Sequence, residues 1–81
     1  MRIQVTFYSY LKDLAGSATH DFEAPDNATV QDLLNQVWGW SPEVARVQRS
    51  ILVAVGTEYA QPTQQLRAGD TVALFPPVQG G

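Results

Sequence analysis

Two runs of alternating polarity stand at opposite ends of this chain, and one helical stripe lies between them. Arg2 to Tyr8 set Ile3, Val5 and Phe7 on one side and Arg2, Gln4, Thr6 and Tyr8 on the other. Thr71 to Phe75 set Val72 and Leu74 against Thr71, Ala73 and Phe75. A period of two marks a strand with one buried face. Between these runs, Val30, Leu33, Leu34, Val37 and Trp38 recur at the helical period, while Gln31, Asp32, Asn35 and Gln36 take the wet face. In 81 residues, that set leaves one economical packing: a single long helix laid across one face of a sheet.

The intervening segments fill in the sheet. Ser9 to Ala15 reads as a short helical turn, with Ser9 as cap, Leu11 and Leu14 inward and Gly16 as the stop. Ser17 to Ala24 contains a weaker strand in which Phe22 points inward, so the first two strands form a hairpin around an excursion. Pro25 to Ala28 breaks the chain. Thr29 with Asp32 matches a capping box, and the main helix runs to about Trp38 with Gly39 as its stop. Ser41-Pro42-Glu43 opens a second short helix that extends toward Arg49. Ile51 to Val55 is continuously apolar, which suits a strand buried on both faces or crossing a crowded core. Gly56-Thr57 is a turn, Glu58 to Ala60 a brief edge strand, Leu66 an inward residue, and Ala68-Gly69-Asp70 a turn before the last strand. The order is strand, strand, helix, strand, short strand, strand. With the first and last strands central and adjacent, it predicts an α+β chain: a β-grasp, ubiquitin-like, with a mixed four- to five-stranded sheet crossed by one main helix.

The final strand runs into Pro76-Pro77-Val78-Gln79-Gly80-Gly81. Neither proline donates a ladder hydrogen bond, so the sheet stops there. Their fixed φ favours an extended arm that reaches roughly 20 Å. Gly80 and Gly81 have no Cβ and suit a narrow channel. At an average glycine usage of about 7%, Gly-Gly falls at a given terminus about 0.5% of the time, so the ending is read as functional. The reactive group is then the Gly81 carboxylate, residues 1–75 are a platform, and residues 76–81 are the tail it presents. If Val72 and Leu74 face inward, Phe75 faces outward as an anchor for a partner.

Composition narrows the chemistry. The chain has no cysteine, which excludes disulfides, a thiolate metal cage and a side-chain persulfide. Its net charge of −3 argues against nucleic acid or an anionic membrane as the main partner. No apolar run approaches the length of a membrane span, and Met1 to Val5 reads as a strand rather than a leader, so a cytoplasmic location is expected. His20 is a lone surface residue, Asp and Glu form no catalytic pair, and Trp38 and Trp40 read as core and core-edge aromatics. Neither a metal site nor a bound cofactor is expected.

The ending Gly69-Asp70-Thr71-Val72-Ala73-Leu74-Phe75-Pro76-Pro77-Val78-Gln79-Gly80-Gly81, together with the element order, resembles the small subunit of molybdopterin synthase, the MoaD-type branch of the ThiS/MoaD ubiquitin-like sulfur carriers. Gly-Gly alone is shared widely; Phe75-Pro76-Pro77-Val78 is the selective part. Leu52 to Val55 also resembles the family's third strand, with Gly56 where Asn is frequent, and Lys12-Asp13 stands where an Arg-Glu pair is frequent. The resemblance implies that an E1-like, MoeB-type enzyme uses ATP to adenylate Gly81. A persulfide donor then converts it to a thiocarboxylate. The tail, through Val78, Gly80 and Gly81, enters a MoaE-type large subunit that supplies the catalytic side chains, and sulfur passes to cyclic pyranopterin monophosphate. It further implies docking through Phe75, Pro76 and Pro77 in a heterotetramer of two small and two large subunits. The small subunit is then no enzyme on its own. Three alternatives share the tail: a sulfur carrier for another pathway such as thiamine, a ubiquitin-like modifier forming isopeptide bonds through Gly81, and a β-grasp interaction module without tail chemistry.

Overall fold

The computed structural model describes residues 1–77. The elements run β1 (Arg2–Phe7), α1 (Tyr10–Ala15), β2 (Thr19–Glu23), α2 (Val30–Trp40), α3 (Pro42–Ala45), a 3₁₀ turn (Gln48–Ser50), β3 (Leu52–Val55), β4 (Glu58–Tyr59) and β5 (Thr71–Phe75). They form one mixed sheet of five strands in the order β2-β1-β5-β3-β4. β1 and β5 are adjacent and parallel, with Val5 beside Val72 and Phe7 beside Leu74. The other pairings, β1 with β2, β5 with β3 and β3 with β4, are antiparallel. The expected β-grasp is therefore present, with the two most regular strands side by side.

The alternation seen in the sequence decides what each face meets. Ile3, Val5, Phe7, Phe22, Val72 and Leu74 point to one side and are buried with Val30, Leu33, Leu34 and Val37 of α2. Leu11 of α1, Val44 of α3, Leu66 and the small residues Ala24 and Ala28 close the ends of that layer. Each fully buried aliphatic or phenyl side chain contributes roughly 1.5–3 kcal/mol relative to exposure, so this layer holds the domain together. No buried side-chain polar atom among the described residues lacks a hydrogen bond.

The start of α2 is as the capping box requires. The Thr29 hydroxyl accepts from the Asp32 N–H at 3.2 Å, and the Asp32 carboxylate accepts from the Thr29 N–H at 2.9 Å. Its end departs from expectation, because the helix passes through Gly39 and continues to Trp40. A mid-helix glycine costs roughly 1 kcal/mol relative to alanine. The two added residues offset this by seating the Trp40 indole on Phe7 at 5.6 Å, on His20 at 4.3 Å and edge-on to Phe22 at 5.4 Å. Ser41 then does two things: its N–H donates to the Val37 carbonyl, and its hydroxyl accepts from the Val44 N–H. The second helix is shorter than expected and stops at Ala45, followed by the separate 3₁₀ turn instead of one helix to Arg49. Trp38 is half-buried against the core, and His20 lies exposed on the edge strand.

Two further expectations are corrected. Ser9 makes no side-chain cap to α1; its backbone sits at φ 56°, ψ −138°, while Gly16 ends the helix in the left-handed region as expected. β3 is not buried on both faces. Val53 and Val55 face α2 and are half-buried, whereas Leu52 is exposed on the opposite face and Ala54 alone is buried. The run is continuously apolar because its second face belongs to a different surface.

Candidate functional site: the open face of the sheet and the exit of the tail

The register of the sheet assembles this surface residue by residue. Facing pairs share a face in an antiparallel ladder, as do level neighbours in a parallel one. Thr6, Ala73, Ala54 and Tyr59 therefore form one row across β1, β5, β3 and β4. Tyr8, Phe75 and Leu52 form the next, toward the end where the chain leaves the sheet. Neither row meets α2. Phe75 lies on this face, as the alternation of β5 predicts, and is half-buried because Tyr8 covers it. The two rings are nearly parallel, with centroids 4.7 Å apart and an interplanar angle of 9°. Tyr8, Leu52 and Tyr59 remain 45%, 39% and 73% exposed. Beside Phe75, the small residues Ala54, Gly56 and Thr57 leave a shallow hollow of about 210 Å³ walled by Tyr59. Rigid aromatics around a hollow are the composition expected of an anchor surface.

The exit of the tail is set by hydrogen bonding. The Tyr8 N–H donates to the Leu74 carbonyl at 3.1 Å. In a parallel ladder the next rung, two residues on, would run from the N–H of residue 76 to the Tyr8 carbonyl. Pro76 has no N–H. The Tyr8 carbonyl accepts instead from the Leu11 N–H at 3.1 Å, closing a tight turn through Ser9. Both central strands thus end at one level, and Pro76 and Pro77 start the departing segment, each half-buried. Ser9 is the one non-glycine residue with positive φ among those described. Such a conformation costs on the order of 1–3 kcal/mol and persists only where surrounding contacts impose it.

Phe75, Pro76 and Pro77, three of the expected site residues, follow one another at the end of β5, each half-buried. Val78, Gly80 and Gly81, the rest of the expected site, lie outside the described residues. The sequence reading missed Tyr8, Leu52, Ala54 and Tyr59. A signal was available for Tyr8, an aromatic on the otherwise polar side of the first strand. Tyr59 carried none, because its strand is two residues long. Among the described residues no cluster of His, Asp or Glu has the makings of a metal site, and no helix is long and apolar enough to cross a membrane.

A five-stranded β-grasp with an aromatic open face, whose last strand ends at Pro76 and Pro77, belongs to the ubiquitin-like class of architecture. The ThiS family profile matches residues 5–81, and the chain belongs to that family. It is 34% identical over 83 residues to the molybdopterin synthase sulfur carrier subunit of Chlamydomonas reinhardtii, covering 100% of both chains. It superimposes on small archaeal modifier protein 1 of Haloferax volcanii with a TM-score of 0.89 and 32% identity, again over 100% of both chains. It also shares its fold with a chain in the complex of subunits 1 and 2 of molybdopterin-converting factor from Helicobacter pylori, with a TM-score of 0.74 and 20% identity over 100% of each.

Proposed function

We propose that the chain is the sulfur-carrier small subunit of a molybdopterin synthase, a platform of residues 1–75 presenting a tail of residues 76–81. The observation that carries this reading is the coincidence of three features at one edge. The Tyr8–Phe75 pair is stacked on a face that α2 leaves uncovered, both central strands stop there, and the Pro76-Pro77 lead-in begins there. The full-length similarity to a named sulfur carrier subunit supports it.

The chemistry then belongs to main chain. A carboxylate is a poor acyl donor, so an E1-like, MoeB-type enzyme spends ATP to join AMP to the Gly81 carboxyl. The terminal sulfur of a persulfide donor attacks the acyl-adenylate and expels AMP, and a second thiol then cleaves the resulting acyl disulfide, leaving the thiocarboxylate on Gly81 and a disulfide on the donor. In the complex, Tyr8, Phe75 and Tyr59 dock on a MoaE-type large subunit. Pro76 and Pro77 aim the arm, Val78 and Gly80 insert through the narrow entry of the large subunit, and Gly81 delivers sulfur to cyclic pyranopterin monophosphate. Two small subunits serve a dimer of large ones, in the cytoplasm. The chain binds no cofactor of its own and lends no acid or base; the large subunit supplies the groups that polarise the substrate.

Intact-mass analysis of the chain purified from cells active in molybdenum-cofactor synthesis tests the carrier reading. One oxygen of the last peptide should be replaced by sulfur, and a population carrying only the carboxylate refutes it. Reconstitution with the large subunit and pyranopterin should yield molybdopterin. A thiocarboxylate that forms but yields none would assign the carrier to another pathway, such as thiamine synthesis. The similarity to small archaeal modifier protein 1 favours one second reading, a protein modifier. It predicts adducts joining Gly81 to lysines of other proteins.

A further inference from the structure

The stacked pair has an unusual neighbour. Ser9 follows Tyr8 directly, and its backbone occupies a region that glycine tolerates and serine does not. Its hydroxyl makes no cap to α1 and its side chain is exposed, while its carbonyl accepts from the Lys12 N–H at 3.2 Å. A glycine would adopt the same turn without strain. The turn is held by the Lys12 N–H on the Ser9 carbonyl and by the two hydrogen bonds of Tyr8, from its N–H to Leu74 and from the Leu11 N–H to its carbonyl. The two bonds of Tyr8 set it level with Phe75, ring on ring.

We propose that Ser9 is a positioning residue for docking. Its constrained turn narrows the backbone freedom of Tyr8 and keeps that ring flat against Phe75, so that the two rings meet the partner as one rigid anchor, at the expense of stability in the free domain. Backbone strain imposed by its surroundings clusters at binding and active sites, and relieving it there commonly raises stability while lowering activity. Pre-ordering an anchor strengthens binding by reducing what must be ordered on association. This inference rests on the sulfur-carrier reading and on the large subunit as partner.

The test uses the full chain and the molybdopterin synthase large subunit of the same organism. Denaturation midpoints and dissociation constants are measured for the parent, Ser9→Gly and Ser9→Ala. Ser9→Gly should raise the midpoint yet weaken binding about five- to tenfold, a change of about 1 kcal/mol or slightly more. The Phe75 ring-current shift on the Tyr8 ring protons should shrink in its NMR spectrum. Ser9→Ala keeps the Cβ and should bind like the parent. Opposite movement of stability and affinity is what a merely structural turn would not produce. If the parent binds and Ser9→Gly binds equally well, or if Ser9→Ala weakens binding as much as Ser9→Gly, the inference is overturned while the function stands. If the parent itself does not bind the large subunit, both fall.

Discussion

The two faces of the sheet are built from the same strands and solve opposite problems. On the helix side Ile3, Val5, Val72 and Leu74 are completely or almost completely buried, interlocked with Leu33 and Val37. On the other side Tyr8, Leu52 and Tyr59 stay exposed, and Phe75 is half-buried under the stacked Tyr8 ring. Residue type follows the task. Aliphatics fill a close-packed interior, while tyrosines present apolar area with a polar tip that water tolerates until a partner arrives. The difference teaches that in so small a domain folding and recognition can be separated by the parity of a strand position. Helix-face positions should govern stability, and open-face and tail positions should govern transfer.

Four changes would break or sharpen that division. The largest effect is expected from deleting Gly81. Sulfur transfer should vanish while the denaturation midpoint stays where it was, since a terminal residue contributes little packing; an unfolded product would mean that platform and tail are not separable. Next is Leu33→Ala on the helix side, which should destabilise the domain by about 2–5 kcal/mol in urea denaturation. Its affinity for the large subunit, corrected for the folded fraction, should be unchanged, and a weakened folded fraction would show that the faces are coupled. Phe75→Ala should do the reverse, weakening binding by about 1–3 kcal/mol in calorimetric titration with a smaller loss of stability. Unaltered affinity would remove Phe75 from the anchor. The smallest effect is expected from Thr29→Ala, which removes one arm of the α2 capping box. It should lower stability by about 1 kcal/mol, with no effect on docking detectable in the same titration.

Much of the fold was legible because its signals are local. The alternation of Arg2 to Phe7 and of Thr71 to Phe75, the stripe from Val30 to Val37 and the Thr29–Asp32 box each lie within one strand or one helix and its cap. The errors share a cause. Gly39 reads as a stop unless one knows that Trp40, one residue on, finds Phe7, His20 and Phe22 from distant strands. Ser9 reads as a cap by type, whereas the pull of Tyr8 onto β5 sets its dihedrals. Ile51 to Val55 reads as doubly buried, because local pattern cannot tell a covered second face from one left open.

The candidate site divides in the same way. Phe75, Pro76, Pro77 and the glycine ending could be picked out from sequence, since outward parity, a missing N–H and a missing Cβ are properties of single residues and their immediate neighbours. That Tyr8 lies on Phe75, that Leu52 and Tyr59 extend the patch, and that both central strands end level with Pro76 required the tertiary structure. These facts depend on the register of β5 against both β1 and β3, a property of strand pairing that no local pattern of side chains encodes.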